Sequence, residues 1–269
     1  MKIRNKNISL NNKPFIVAEM SGNHNKSLSR ALKIIEFAAK AGVNAIKIQT
    51  YKPETITINS NRKEFYIKDN KSLWRGKKLY DLYKKNYTPW EWHEKIFNKA
   101  KKCGIICFSS PFDETAVDFL ESLKCPLYKI ASFEINHIPL LKKIAKTKKP
   151  VILSTGMAKL NEIALAVNTL KKNGCKNYSL LKCTSTYPAS PADSNLLTIN
   201  KLRKKFNCEV GLSDHTLGIG TALASIPLGA SIIEKHLKYN KNEVGSDSKF
   251  SLDPEEFKLL VNESINAWK

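Results

Sequence analysis

Short runs of apolar residues recur along the chain at 15–20, 45–51, 105–109, 127–132, 151–155, 178–184, 210–215 and 231–237, each of a length suited to one strand. Between them the apolar period changes. In the first such segment Leu28, Ala31, Leu32, Ile35, Ala38 and Ala39 follow the i, i+3, i+4, i+7 spacing of a helix face. The pattern is strand then helix, repeated eight times. Alternation of this kind implies a parallel sheet, and eight units in a chain of 269 residues predict a single (β/α)8 TIM barrel over residues 1–269. An open doubly wound sheet is the competing arrangement. It calls for a glycine-rich phosphate turn after the first strand, and Glu19-Met-Ser-Gly-Asn-His-Asn25 is not of that form.

Boundary signals agree with the count. Thr88-Pro-Trp-Glu91 reads as a capping threonine, a proline at the first helical position and a glutamate at the third, and Asp253-Pro-Glu-Glu256 repeats the arrangement. Gly42 and Gly104 suit helix stops. Residues 52–87 form the longest irregular stretch and contain Trp74 and four tyrosines, which predicts a rim or lid over a site.

The formal net charge of +21 raises the question of a nucleic-acid partner. Lysines such as Lys33, Lys40, Lys95, Lys142 and Lys171 are spread over nearly every predicted helix, which argues for solvated helix faces and against one basic binding surface. Such a field favours small anionic substrates. No apolar run has the length of a membrane span or a secretory signal, so a soluble cytoplasmic protein without membrane partners is expected. Cys103, Cys107, Cys125, Cys175, Cys183 and Cys208 lack paired zinc spacing and read as reduced core thiols.

Candidate chemistry gathers at the strand ends, where barrels of this kind keep their active sites. His215 and His236 close two adjacent strand runs, a placement that suits a divalent metal held by imidazole, carboxylate and water, with Glu19 and Asp247 as nearby carboxylates. Lys47 and Lys129 are cations inside apolar strands, where burial costs several kcal/mol unless an anion compensates. A bound anion is the expected compensation, and an internal salt bridge to Glu19 or Glu134 the alternative. Hydroxyls at Ser110, Ser132, Ser154, Ser185 and Ser213 on successive strands could surround a phosphate together with the lysines. The parts suggest addition of a phosphorylated carbon nucleophile to an aldehyde, with phosphate-ester hydrolysis as the other chemistry they allow.

Eight segments carry a resemblance: Ala18-Glu-Met-Ser-Gly-Asn-His-Asn25, Lys47-Ile-Gln-Thr-Tyr51, Phe108-Ser-Ser-Pro-Phe112, Tyr128-Lys-Ile-Ala-Ser132, Leu153-Ser-Thr-Gly-Met157, Lys182-Cys-Thr-Ser-Thr-Tyr-Pro188, Gly211-Leu-Ser-Asp-His-Thr216 and Glu234-Lys-His236. Together they closely resemble the sialic acid synthase family, the phosphoenolpyruvate-dependent synthases of nine-carbon acidic sugars. The stretches at 20–24, 74–83 and 247–252 are most similar to its pseudaminate branch, with the N-acetylneuraminate and legionaminate branches as alternatives.

The resemblance implies a manganese-like ion, or Mg2+ or Co2+, on His215 and His236. It implies that Lys47, Ser110, Lys129, Ser132, Ser154, Ser185 and Ser213 hold phosphoenolpyruvate, and that Gln49, Tyr187 and Asp247 face the sugar. Glu19 and Asp247 are expected to orient a water at the metal. The acceptor implied is 2,4-diacetamido-2,4,6-trideoxy-L-altrose. Members of the family usually continue into an antifreeze-like domain that reaches across a dimer, so a homodimer or a separately encoded domain of that kind is the implied partner. A barrel that only binds phosphoenolpyruvate and metal, or serves as an assembly subunit, is the reading from another class.

Overall fold

Alternation within each strand decides what the barrel encloses and what it turns outward. The computed structural model describes residues 1–70 and 72–269. Its parallel strands are β1 (Phe15–Glu19), β2 (Ala45–Thr50), β3 (Ile106–Pro111), β4 (Tyr128–Ile130), β5 (Val151–Ser154), β6 (Tyr178–Cys183), β7 (Glu209–Asp214) and β8 (Ile232–His236). They pair in chain order, and β8 closes on β1 to complete the barrel. The crossover helices are α1 (Leu28–Ala41), α2 (His93–Lys102), α3 (Glu114–Ser122), α4 (Ile138–Lys146), α5 (Leu160–Lys172), α6 (Thr198–Phe206), α7 (Gly220–Ser225) and α8 (Pro254–Trp268). The barrel expected from the periodicity is the one observed.

Register sets the level of the site. His236 pairs with Glu19, Glu19 with Lys47, and Gln49 with Ser110, so polar groups from neighbouring strands stand abreast at the carboxyl end. Closure between β7 and β8 requires a glycine: a Cβ at Gly211 would lie 2.2 Å from the carbonyl oxygen of Ile232. The amino end is shut by a hairpin pairing Lys2–Ile3 with Lys6–Asn7, whose Ile3 and nearby Ile8 are buried. Asn177, just before β6, bonds both backbone groups of Lys2.

Polar residues on the outward face of the strands are satisfied among themselves. Lys235 donates to Asp214 Oδ2 at 2.6 Å and to the Thr216 carbonyl at 2.7 Å. Thr50 joins Ser109 and His93 at 2.6 and 2.8 Å, with the other nitrogen of His93 on the Pro89 carbonyl. These groups tie strands to strands and to α2, away from the mouth of the barrel.

Helix ends follow the sequence signals with one exception. Gly42 ends α1 at φ +87°, and Gly104 follows α2 at φ +75°, both in the left-handed region. Asp253 caps α8 by accepting from Glu255 N and Glu256 N, while Glu256 returns a bond to Asp253 N. Asp253→Ala is expected to lower the unfolding free energy by about 1 kcal/mol; a urea titration with an unshifted midpoint would count against that cap. Thr88 does not cap. Trp90–Trp92 forms a 3₁₀ turn whose cap position is Pro89, and the buried Thr88 hydroxyl goes to His24 Nε2 instead, at 3.3 Å.

Residues 52–87 contain more structure than an irregular loop. Pro53–Ile56 and Leu79–Asn86 are helical, and Tyr66 bridges Lys78. The stretch is fastened over the carboxyl mouth, with Trp74 Nε1 on the Ser246 carbonyl at 3.0 Å and Asn86 Oδ1 accepting from Ser246 Oγ at 2.8 Å. Lys33, Lys40, Lys95, Lys142 and Lys171 are all exposed. Among the described residues no helix is long and apolar enough to cross a membrane.

Candidate active site

Two ammonium groups lie at the bottom of the carboxyl mouth, and one carboxylate lies between them. Lys47 from β2 sits 2.9 Å from Glu234 Oε1, and Lys129 from β4 sits 3.9 Å from the same oxygen. Ser213 Oγ donates to that oxygen at 3.2 Å. Lys129 also donates to Ser154 Oγ at 2.7 Å and to the Ile130 carbonyl at 3.1 Å. Lys47 reaches Glu19 Oε2 at 3.3 Å, and Gln49 Nε2 donates to Glu19 Oε1 at 3.1 Å. Internal carboxylates therefore lie against both buried lysines, the alternative to a bound anion, and Glu19 is among them as expected. The main one is Glu234, not Glu134, because Glu234 and His236 share the inward face of β8.

The charge states follow from burial and neighbours. Burial pushes the Glu234 carboxyl up, but Lys129 and Lys47 outweigh it and hold it at about 2. Burial raises Glu19 to about 7, against the pull of Lys47. Lys129 is lowered by burial to about 8, with Glu234 opposing. Lys47, despite its burial, is raised by Glu19 and Glu234. Burial likewise lifts Glu134 to about 7, and among the described residues its buried Oε2 takes no hydrogen bond. The site thus holds fixed positive charge beside carboxyls that exchange protons near neutrality.

Above this floor stand the two histidines, their ring centroids 5.4 Å apart. His215 Nδ1 donates to the Thr184 carbonyl at 3.1 Å, so Nε2 is the nitrogen that would meet a ligand; burial lowers this ring, but Cys183 beside it outweighs burial and raises it above its ordinary value. Burial drives His236 well below its ordinary value, so its ring is neutral, and among the described residues its buried Nδ1 has no partner. A neutral imidazole with an unpaired nitrogen beside a second one fits a divalent ion. The carboxylates expected to complete such a site are committed elsewhere, Glu19 to Lys47 and Gln49, and Asp247 to Ser21 Oγ at 2.5 Å and Gly22 N at 3.3 Å. Among the described residues no group of three His, Cys, Asp or Glu side chains is arranged to hold a metal. The protein's own contribution would be the histidine pair.

An aromatic wall flanks the pair. Tyr187 lies 4.5 Å from His215 and 5.3 Å from Phe250, and Phe250 lies 4.8 Å from His236. Trp74 reaches Tyr187 at 5.7 Å, so the segment over the mouth contributes to the same wall. On the opposite side the hydroxyls of Ser132 and Ser185 border Gly156, where a Cβ would lie 2.8 and 2.2 Å from their oxygens. Ser132 accepts from Gly156 N at 3.1 Å. The Ser110 hydroxyl is spent on the Lys129 carbonyl at 3.1 Å, so it steadies β4.

Three residues escaped the sequence reading. Glu234 lies two residues before His236 and shares its face, a signal that period-2 alternation carries. Ser21 lies past the strand end, where no periodicity points. Cys183, grouped with inert core thiols, lies 3.9 Å from His215 Nδ1 and 3.8 Å from Ser185 Oγ. All six cysteines are free, and Cys103 and Cys208 are only half-buried.

Comparison with known proteins places the chain in a family. The chain is 48% identical over 95% of its length to the pseudaminic acid synthase of Campylobacter jejuni subsp. jejuni serotype O:2, covering 74% of that protein. It is 42% identical over 93% of its length to the N,N'-diacetyllegionaminic acid synthase of the same strain, covering 75%. The crystal structure of N-acetylneuraminic acid synthetase from Leptospira borgpetersenii serovar Hardjo-bovis in complex with citrate superposes with a TM-score of 0.89 at 33% identity, covering all of this chain and 88% of that one. Residues 34–269 match the model of the NeuB family. The chain belongs to the NeuB family and is an enzyme of the sugar-acid synthase class.

Proposed function

We propose that this barrel condenses phosphoenolpyruvate with open-chain 2,4-diacetamido-2,4,6-trideoxy-L-altrose, giving a nine-carbon acidic sugar and inorganic phosphate. The observation that carries this reading is the pair of buried ammoniums, Lys47 and Lys129, held by the one carboxylate of Glu234 among serine hydroxyls. Two cations with one strongly ionised partner leave an attractive field for a phosphate and a carboxylate on one small molecule. The higher identity to the pseudaminate synthase, 48% against 42% for the legionaminate synthase, favours the altro-configured acceptor.

In this reading Lys129, Ser154, Ser132, Ser185 and Ser213 hold the phosphoryl and carboxyl groups, and Lys47 lies over the reacting end. C3 of the enol attacks the aldehyde carbon, and the positive charge left at C2 is stabilised by ionised Glu234. Water adds to C2 with one proton passing through Glu19 to the alkoxide formed from the aldehyde, and the C2 hydroxyl hands its remaining proton to phosphate as the C2–O bond to phosphate breaks and the ketone forms. A carboxyl with a pKa of about 7 suits that exchange. A divalent ion on His215 and His236, manganese by the family resemblance, supplies polarisation of the aldehyde carbonyl when bound. Gln49, Tyr187 and Asp247 line the acceptor side, and the aromatic wall with Trp74 excludes bulk water.

The reading has a pH signature. Lys129 must be an ammonium to hold the substrate anion, and burial has lowered it to about 8. Below that value the charge is present, and as pH rises through it the charge is lost. Accordingly kcat/KM for phosphoenolpyruvate is expected to fall on the alkaline side with an apparent pKa of about 8. A profile flat to the far alkaline side would remove Lys129 from binding. The function itself is tested by phosphate release with manganese and a panel of aldehydes: the trideoxy-altrose, the legionaminate precursor and N-acetylmannosamine. Release driven by the trideoxy-altrose, with the acidic product seen by mass spectrometry, supports the reading. Release driven by another sugar moves the enzyme to another branch.

A further inference from the structure

One hydroxyl at the rim links two groups on the acceptor side. Ser21 lies two residues beyond β1, is 7% exposed, and has φ +44°, a left-handed backbone that glycine adopts more readily than serine. Its Oγ donates to Asp247 Oδ2 at 2.5 Å and accepts from Gln49 Nε2 at 3.2 Å. The same Gln49 nitrogen donates to Glu19 Oε1 at 3.1 Å. With both amide hydrogens committed, Gln49 has only its Oε1 left, and that atom accepts. Asp247 Oδ2 also takes Gly22 N at 3.3 Å, so among the described residues Oδ1 is the carboxylate's remaining acceptor.

A glycine would meet the backbone angle with less strain, so the serine is kept for its oxygen. We propose that Ser21 is a specificity-determining positioning residue: by joining Gln49 to Asp247 it presents two acceptors to the O–H and N–H donors of a polyhydroxylated acetamido aldehyde. The inference deepens the synthase reading and rests on it. It also gives the β8–α8 connection a purpose, since Asp247 reaches the site from that connection and is held there through Ser21 and Gly22.

The test uses two variants of the full chain. Ser21→Gly removes the hydroxyl and suits the backbone, and Ser21→Ala removes the hydroxyl alone. Initial rates are taken with the sugar varied at saturating phosphoenolpyruvate, then with the roles reversed, and each variant is melted. Both variants are expected to raise KM for the sugar about tenfold or more while KM for phosphoenolpyruvate stays within about twofold. The Tm of Ser21→Gly is expected to stay within a few degrees of the parent, relief of the backbone angle offsetting part of the lost hydrogen bonds. An unchanged sugar KM in an active protein overturns the role of Ser21 and leaves the synthase reading standing. A parallel rise in both KM values with a lowered Tm also overturns it, because that is the mark of a structural residue. Failure of the parent chain to turn over any acetamido aldehyde removes the synthase reading, and the Ser21 inference with it.

Discussion

Glu234→Ala is expected to lower the unfolding free energy by about 3 kcal/mol and to leave under about a hundredth of the activity. The stability loss follows from what the carboxylate neutralises. Lys47 retains Glu19 at 3.3 Å, but among the described residues Lys129 keeps only neutral hydrogen-bond partners, the Ser154 hydroxyl and the Ile130 carbonyl. A buried cation stripped of its anion costs several kcal/mol, and part of that cost is relieved when the lysine gives up its proton. The pH dependence has a definite sign. Glu234 is held at about 2, below its ordinary 4.5, so its contribution is present above 4.5 and lost as pH falls through about 2. Urea unfolding at neutral pH reads the loss, and a midpoint equal to that of the parent would contradict the central position given to Glu234. Glu234→Gln keeps the shape and an acceptor for Ser213, so its stability is expected to fall less while activity is still lost.

His236→Ala is expected to abolish metal-dependent turnover, by about a thousandfold or more, with the fold intact. The imidazole is neutral and its Nδ1 has no partner among the described residues, so its removal strands no hydrogen-bonding group there. The cost to the fold is the space left beside Phe250, on the order of 1–3 kcal/mol. Manganese titration by calorimetry provides a reading independent of catalysis: affinity should fall at least about a hundredfold. Parental affinity for the ion, or parental turnover, would remove His236 from the metal site.

Much of this molecule is readable from alternation alone. Period 2 places Lys47 with Gln49 and Ser213 with Gly211 on inward faces, and the turn to period 3.6 marks each crossover helix. What escaped reading depends on tertiary proximity. The partner of Lys47 lies 187 residues away on β8; alternation puts Glu234 on the inward face with His236, but its meeting with Lys47 depends on barrel closure. Thr88 carries a sound capping signal, yet Pro89 sits at the cap position and a buried histidine takes the hydroxyl. The helix Leu79–Asn86 is short and lies in a lysine-rich stretch, and its order comes from docking over the mouth. Ser21 is the extreme case. Its importance lies in a positive φ and two side chains brought from β2 and the β8–α8 connection, none of which is local information.

The measurement that most directly tests the central claim uses phosphoenolpyruvate carrying heavy oxygen in its C–O–P bridge, incubated with the enzyme, manganese and the trideoxy-altrose. Attack of C3 on the aldehyde with water trapped at C2 breaks the carbon–oxygen bond, so the label is predicted to leave in the phosphate, and only when the sugar is present. Label retained in pyruvate, released whether or not sugar is present, would mean hydrolysis at phosphorus and would contradict the synthase account.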